Sequence, residues 1–167
     1  MLIRLAGLVT ESYADGPGIR FTIFVQGCPH HCEGCHNPET HDFSAGRLAD
    51  TDKLYSKIKQ FPLCKGVTFS GGEPFCQAEP LCDLAEKLKT DGYHLMSYSG
   101  WTFEELQKKS VSEPFAGKLL GLLDVLVDGR FVLAERTLEL HFRGSRNQRL
   151  INVPESLERG KAVTVEL

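Results

Sequence analysis

The feature that most constrains this chain is a repeated unit: a short β-branched or aromatic run, a glycine-containing loop, then apolar residues at helical spacing. Arg20-Phe-Thr-Ile-Phe-Val25 reads as a buried strand that stops at Gln26-Gly27. From Thr51, Leu54, Tyr55, Ile58 and Phe61 recur with helical period. Pro62 ends that helix, because proline has no N–H to donate and its ring clashes with the preceding turn. Gly66-Val-Thr-Phe69 is a strand running into Ser70-Gly-Gly-Glu-Pro74. Leu81, Leu84, Ala85 and Leu88 mark a second helix, closed by Gly92 as a left-handed cap. Tyr93-His-Leu-Met-Ser-Tyr98 is the next strand, and Thr102 with Glu105 makes a capping box for a third helix. A helix over about Phe115 to Leu123 leads to the strand Val125-Leu-Val127, which ends at Asp128-Gly129.

Strand, loop and helix in this order, about four times over, predict parallel strands joined by right-handed helical crossovers. The chain has 167 residues, short of the roughly 200 at which complete eight-stranded α/β barrels begin. The expected fold is therefore a single α/β domain over residues 1–167, an open partial (β/α) barrel with a mostly parallel sheet. Active sites in such sheets collect at the carboxyl ends of the strands, and every unusual motif here follows a predicted strand. The tail from Phe131 to Leu167 carries no regular pattern.

Charge and hydropathy narrow the partners. Nineteen Lys and Arg against 22 Asp and Glu give a formal charge of −3, which offers no general basic surface for a polyphosphate chain, so no nucleic-acid partner is expected. The longest apolar run, around Leu119 to Val127, is broken by Gly121 and Asp124 and falls far below the roughly 18 residues of a membrane span. Met1-Leu-Ile-Arg-Leu-Ala-Gly7 lacks a basic region followed by a long apolar stretch. No membrane association and a cytoplasmic location are expected. Cysteines in that compartment are thiols first.

Three of the six cysteines fall within eight residues, in Gly27-Cys28-Pro-His-His-Cys32-Glu-Gly-Cys35-His36-Asn37. Thiolates this close can wrap one compact centre, and soft sulfur selects zinc or an iron-sulfur cluster. Structural zinc needs a fourth protein ligand, which His30, His31, His36 or His41 could supply. A cubane cluster held by only three cysteines leaves one iron open to a small molecule, a catalytic feature. His30 and His31 read as solvent-facing residues or donors to sulfur. Cys64, Cys76 and Cys82 are too dispersed for a second cluster and read as ordinary thiols. In Ser70-Gly71-Gly72-Glu73, the glycines permit close backbone approach to a ligand and Glu73 offers an acceptor for a cationic amine.

The C-x3-C-x2-C triplet resembles the hallmark of the radical S-adenosylmethionine enzymes. Asp15-Gly-Pro-Gly-Ile-Arg20, Phe24-Val-Gln-Gly27 and Cys35-His-Asn37 are similar to the activating enzymes of glycyl radical enzymes. Asp124-Val-Leu-Val-Asp-Gly-Arg-Phe131 and Arg143-Gly-Ser-Arg-Asn-Gln-Arg149 resemble the branch acting on anaerobic ribonucleoside-triphosphate reductase. The likeness runs from about Leu8 to Ile151. Many superfamily members carry a large apolar residue before the third cysteine, whereas Gly34 stands here, as in the reductase-activating branch.

The resemblance implies a [4Fe-4S] cluster on Cys28, Cys32 and Cys35, with S-adenosylmethionine chelated at the open iron. Its reductive cleavage would generate a glycyl radical on the partner reductase, with a flavodoxin- or ferredoxin-like electron donor. Gly34, Cys35, His36, Asn37, Ser70, Gly71, Gly72, Glu73, Ser99 and Asp128 are the candidate contacts to S-adenosylmethionine. Within this set Glu73 meets the methionyl amine, His36 and Asn37 hold the adenine, and Ser99 and Asp128 reach the ribose or carboxylate. No side chain is assigned the bond-breaking step itself. Arg20 is placed to meet an anion, and Arg143, Arg146 and Arg149 are candidates for a docking edge or a carboxylate contact. Two other readings are carried forward: activation of a formate-lyase type enzyme, whose activators are generally longer, and a non-catalytic zinc-stabilised binding module.

Overall fold

Four strands lie side by side and parallel at the centre of the protein: β2 (Arg20–Val25), β4 (Gly66–Gly71), β5 (His94–Tyr98) and β6 (Val125–Asp128). A computed structural model describes all of residues 1–167. These are the four predicted strands, each placed within a residue or two. The sheet has seven strands in all, because β1 (Leu2–Ser12), β3 (Arg47–Asp50) and β7 (Arg149–Asn152) flank them in the order β3-β1-β2-β4-β5-β6-β7.

All three added strands pair antiparallel. The expectation of a mostly parallel sheet is corrected accordingly: the parallel part is the central four strands, and antiparallel strands occupy both margins. Neither edge carried a clear signal. β1 interrupts its alternation with Ala6-Gly7, and β3 is four residues with no buried side chain. The tail also holds more structure than its pattern suggests. After β7, helix α5 (Val153–Arg159) is capped at its start by Asn152, whose side chain accepts from the Glu155 amide, and at its end by left-handed Gly160.

The crossovers are helical as expected: α1 (Thr51–Ile58), α2 (Ala78–Thr90), and the pair α3 (Phe103–Ser112) and α4 (Pro114–Leu122). Asp50 caps α1, and the Thr102–Glu105 capping box opens α3. Gly92 takes φ +84 just past α2, the left-handed conformation a residue with a Cβ resists.

Burial separates the two faces of the sheet. Successive strand residues point to opposite sides. Leu95, Leu126 and Ile151 join the 27-residue core beneath the helices, while Met96, Val125, Val127 and Leu150 form a smaller cluster on the other face. That second face is covered by tail residues such as Phe142 and Val165, with Tyr98 beside them, and by the loop before β2, where Gly16 lies against Met96 and Asp15 bonds Thr22 and Thr68. The helices thus seal one side and leave the other for the site. No helix is long and apolar enough to cross a membrane.

Candidate functional site

The cysteine loop departs from the carboxyl end of β2. Gly27 turns it with φ +102, its amide donates to the Thr40 carbonyl at 2.7 Å, and the Cys28 amide donates to the His41 carbonyl at 3.2 Å. Residues 40 and 41 therefore pin the loop where its first cysteine begins. Two left-handed residues, His31 at φ 49 and Gly34 at φ +75, coil the chain so that the Cys35 amide reaches the Cys32 carbonyl at 3.1 Å. The Asn37 amide donates to Cys35 Sγ at 3.4 Å. Burial pushes the Cys28 thiol up; the charge of Glu73 and the other two cysteines add to this, and the His30 backbone N–H opposes it. All six cysteines are free.

Cys28, Cys32 and Cys35 line one cavity of about 760 Å³, in the size range of small-molecule sites. The carboxyl ends of β2, β4, β5 and β6 and the loops that follow them all contribute: His36 and Asn37, then Ser70, Gly71 and Gly72, then Ser99 and Gly100, then Gly129 and Phe131. Phe24 and Tyr98 rise from the helix-free face of the sheet, and Thr137, Leu138, Leu140, Phe142 and Arg143 close the side from the tail. The convergence of motifs at strand carboxyl ends is as the sequence predicts, and the triplet lies within it. The tail wall is not, since nothing in its composition signals a fold over the sheet.

Three candidate contacts do not line this cavity. Glu73 is 0% exposed, and its carboxylate accepts from the Phe75 amide at 3.0 Å, Ser99 Oγ at 3.0 Å, the Gly100 amide at 2.8 Å and His30 Nε2 at 2.7 Å. It caps the short 3₁₀ turn Pro74–Gln77 and ties that turn to the end of β5 and to the cysteine loop. Asp128 is 1% exposed; it accepts from the Phe103 amide at 2.7 Å and from Arg149 Nη2 at 2.6 Å, so it holds the start of α3 against β7. Gly34 faces outward beneath Leu133, whose Cδ1 would lie 2.8 Å from an added Cβ.

Other readings change with these. His30 is neither solvent-facing nor turned to sulfur: its side chain is 5% exposed, bonded to Glu73 and packed on Trp101 at 4.7 Å. His31 is exposed, with its ring against His41 at 4.8 Å. An added Cβ on Gly71 would strike the backbone of Val25, and one on Gly72 the carbonyl of Gly27. These glycines let β4 close onto the end of β2, with the Gly72 amide on the Val25 carbonyl at 2.8 Å. Arg20 meets no anion. It is 2% exposed and donates to Thr68 Oγ1 and to the carbonyls of Pro17, Val67 and His94, and burial lowers it to about 10. Arg149 is spent on Asp128 and Glu104, leaving Arg143 at the cavity wall and Arg146 exposed.

His41 was legible only as one of four possible zinc ligands. It lines the cavity, and its Nε2 is buried with no hydrogen-bond partner.

Residues 14–151 match the family model described as a 4Fe-4S single cluster domain. The anaerobic ribonucleoside-triphosphate reductase-activating protein of Vibrio cholerae is 34% identical over 142 residues, 80% of this chain and 88% of that protein. Its counterpart in Haemophilus influenzae is 32% identical over the same shares. The pyruvate formate-lyase-activating enzyme of Clostridium pasteurianum is 36% identical over 114 residues, which are 63% of this chain but only 48% of that enzyme.

Proposed function

Because the chain belongs to the family of anaerobic ribonucleoside-triphosphate reductase-activating proteins, we propose that it is a radical S-adenosylmethionine enzyme that installs a glycyl radical on such a reductase. The observation that carries this reading is the arrangement of Cys28, Cys32 and Cys35 along one wall of a cavity built from four strand ends. The donor set suits the cofactor: three soft thiolates for three irons of a [4Fe-4S] cluster. When bound, the cluster and S-adenosylmethionine together supply an electron and a carbon radical that removes a hydrogen atom from glycine.

The chain's own residues bind, orient and shield. Ser70, Gly71, Gly72 and Ser99 form the wall next to the cysteines and take the methionine portion of S-adenosylmethionine. His36 packs on Phe131 at 5.2 Å with the rings tilted by 48°, and with Asn37 this aromatic pair lines the part of the cavity that takes adenine. Glu73 and Asp128 act at one remove: Glu73 fixes Ser99 and Gly100, and Asp128 fixes the start of α3 and β7. Leu138, Leu140 and Phe142 narrow the access of water. The seven-stranded sheet is read as an open partial barrel in one domain, a reading supported by helices on one face and the cavity on the other. A flavodoxin- or ferredoxin-like donor and a cytoplasmic setting, compatible with six free thiols, complete the proposal.

The zinc-module reading loses one of its possible fourth ligands, because His30 is committed to Glu73. Anaerobic reconstitution tests the assignment: about four irons per chain, and cleavage of S-adenosylmethionine to 5′-deoxyadenosine and methionine on reduction. One tightly bound zinc and no iron uptake would overturn it.

A further inference from the structure

Two side chains on the cavity wall carry donors that nothing in the chain accepts. Tyr98 ends β5, with its ring packed on Met96, Val125, Val127 and Leu150 on the helix-free face. It lines the cavity, and its phenol makes no hydrogen bond within the protein. Unlike the orphaned nitrogens of His41 and His94, its Oη is open to solvent. Burial pushes the phenol well up, Asp15 adds to the shift and Arg20 opposes it, so Tyr98 stays protonated and can donate.

Arg143 reaches the same cavity from the tail. Its loop is pinned on the far side, where the Thr137 amide donates to the Gly144 carbonyl at 3.0 Å and the Gly144 amide to Gln148 Oε1 at 2.8 Å. Arg143 Nε donates to the His141 carbonyl at 3.2 Å, and the two terminal nitrogens meet no acceptor of the chain. No other Lys or Arg lines the cavity.

A phenol and a guanidinium ask for acceptors. S-adenosylmethionine suits the guanidinium poorly: its amine and carboxylate are assigned to the open iron, and what remains carries a positive sulfonium. The glycine of a reductase is a different ligand. It has no side chain to recognise, so a site that selects it must hold the main chain around it, as in other extended-peptide sites. Peptide carbonyls are the acceptors that Tyr98 and Arg143 lack. Leu138, which is 89% exposed, and Phe142 flank this wall and offer apolar surface to the residues beside the glycine.

Resting on the proposed reductase partner, we infer that Tyr98 Oη and the Arg143 guanidinium donate to main-chain carbonyls of the reductase segment that presents the glycine. The wall made by β5 and the tail is thus the peptide side of the cavity, and the wall nearer the cysteines is the cofactor side.

The test uses the full chain loaded with its cluster. Tyr98→Phe removes one hydroxyl and keeps the ring, so its melting temperature should match wild type. Arg143→Met keeps the length of the stem and removes the donors. Affinity for S-adenosylmethionine, titrated without reductase, should be unchanged in both. Calorimetric titration of the reductase into the chain carrying S-adenosylmethionine, without reductant, should show affinity lower by about twofold to tenfold in Tyr98→Phe and about tenfold to a hundredfold in Arg143→Met, as expected for one neutral and one charge-assisted hydrogen bond. Arg143→Lys, which keeps the charge, should recover part of that loss. The reductase concentration that half-saturates glycyl radical formation should rise in the same order. Unchanged reductase affinity in both variants overturns the inference, and weakened S-adenosylmethionine binding overturns it in favour of a cofactor contact. A wild-type chain that forms no glycyl radical overturns the proposed function itself.

Discussion

Glu73 and His30 form a buried pair, with His30 Nε2 at 2.7 Å from Glu73 Oε2 and side-chain exposures of 5% and 0%. The pair links two motifs separated by 43 residues: the cysteine loop after β2 and the Gly-Gly-Glu turn after β4. Two backbone amides and one hydroxyl also donate to the same carboxylate, so His30 must donate as well. Glu73 therefore sets the relative position of the cluster loop and the wall opposite it.

The consequence for Glu73→Gln differs from that of a residue contacting ligand directly. The amide presents two hydrogens where the carboxylate accepted, leaving buried donors unmatched, so stability should fall by about 1–3 kcal/mol. Thermal or urea unfolding reads this. An undiminished stability with weakened S-adenosylmethionine affinity alone would return Glu73 to direct contact with the amine.

The six cysteines should divide three and three. Cys28, Cys32 or Cys35 replaced by Ala should abolish cluster uptake and reductase activation, because each is proposed as one of only three protein ligands. Cys64 and Cys82 are each 2% exposed, donating to the carbonyls of Thr10 and Phe115, and their Ala variants should lose about 1 kcal/mol of stability with iron content unchanged. Cys76 is exposed and its replacement by Ser should be silent in both assays. Iron analysis beside a melting curve checks all six, and a dispersed cysteine needed for iron would contradict the ligand assignment.

What could be read from the sequence follows from how local each signal is. Val67, Phe69, Leu95 and Leu126 announce central strands because full burial demands continuous apolar runs, and the triplet announces its site because metal chemistry fixes spacing. β3 is invisible since Arg47 and Leu48 stay exposed and its pairing is decided by β1. The structural part played by Glu73 is hidden for a related reason. A carboxylate beside two glycines suits a ligand and a turn equally, and only the arrival of His30, Ser99 and Gly100 from distant segments reveals the second of these.

The two glycines of that turn yield a separate prediction. Gly71 sits at φ +93 against the backbone of Val25, and Gly72 abuts the Gly27 carbonyl, so neither neighbour can rotate aside. Ala at either position should force β4 from β2 at the root of the cysteine loop, lowering cluster occupancy and stability together. Full iron loading and normal melting in Gly72→Ala would show that the glycine has no packing role beside its place in the ligand wall.

Asp128→Asn should behave as a structural change. Arg149 donates to Asp128 through Nε at 3.1 Å and Nη2 at 2.6 Å, and the same carboxylate receives the first amide of α3. Arg149 is a third exposed, so water compensates part of the loss, and about 2 kcal/mol is expected. Chemical denaturation measures it; S-adenosylmethionine affinity at the intact cluster should change little. A large loss of affinity with no loss of stability would place Asp128 in the ligand site after all.

The central claim is that this chain transfers radical character to a glycine of a partner reductase. Electron paramagnetic resonance of the anaerobic mixture of reconstituted protein, reductant, S-adenosylmethionine and reductase tests it most directly. The account predicts a glycyl radical doublet that requires all four components and vanishes when the reductase glycine is replaced by alanine. No protein radical with intact reductase, or a signal that survives that replacement, would contradict it.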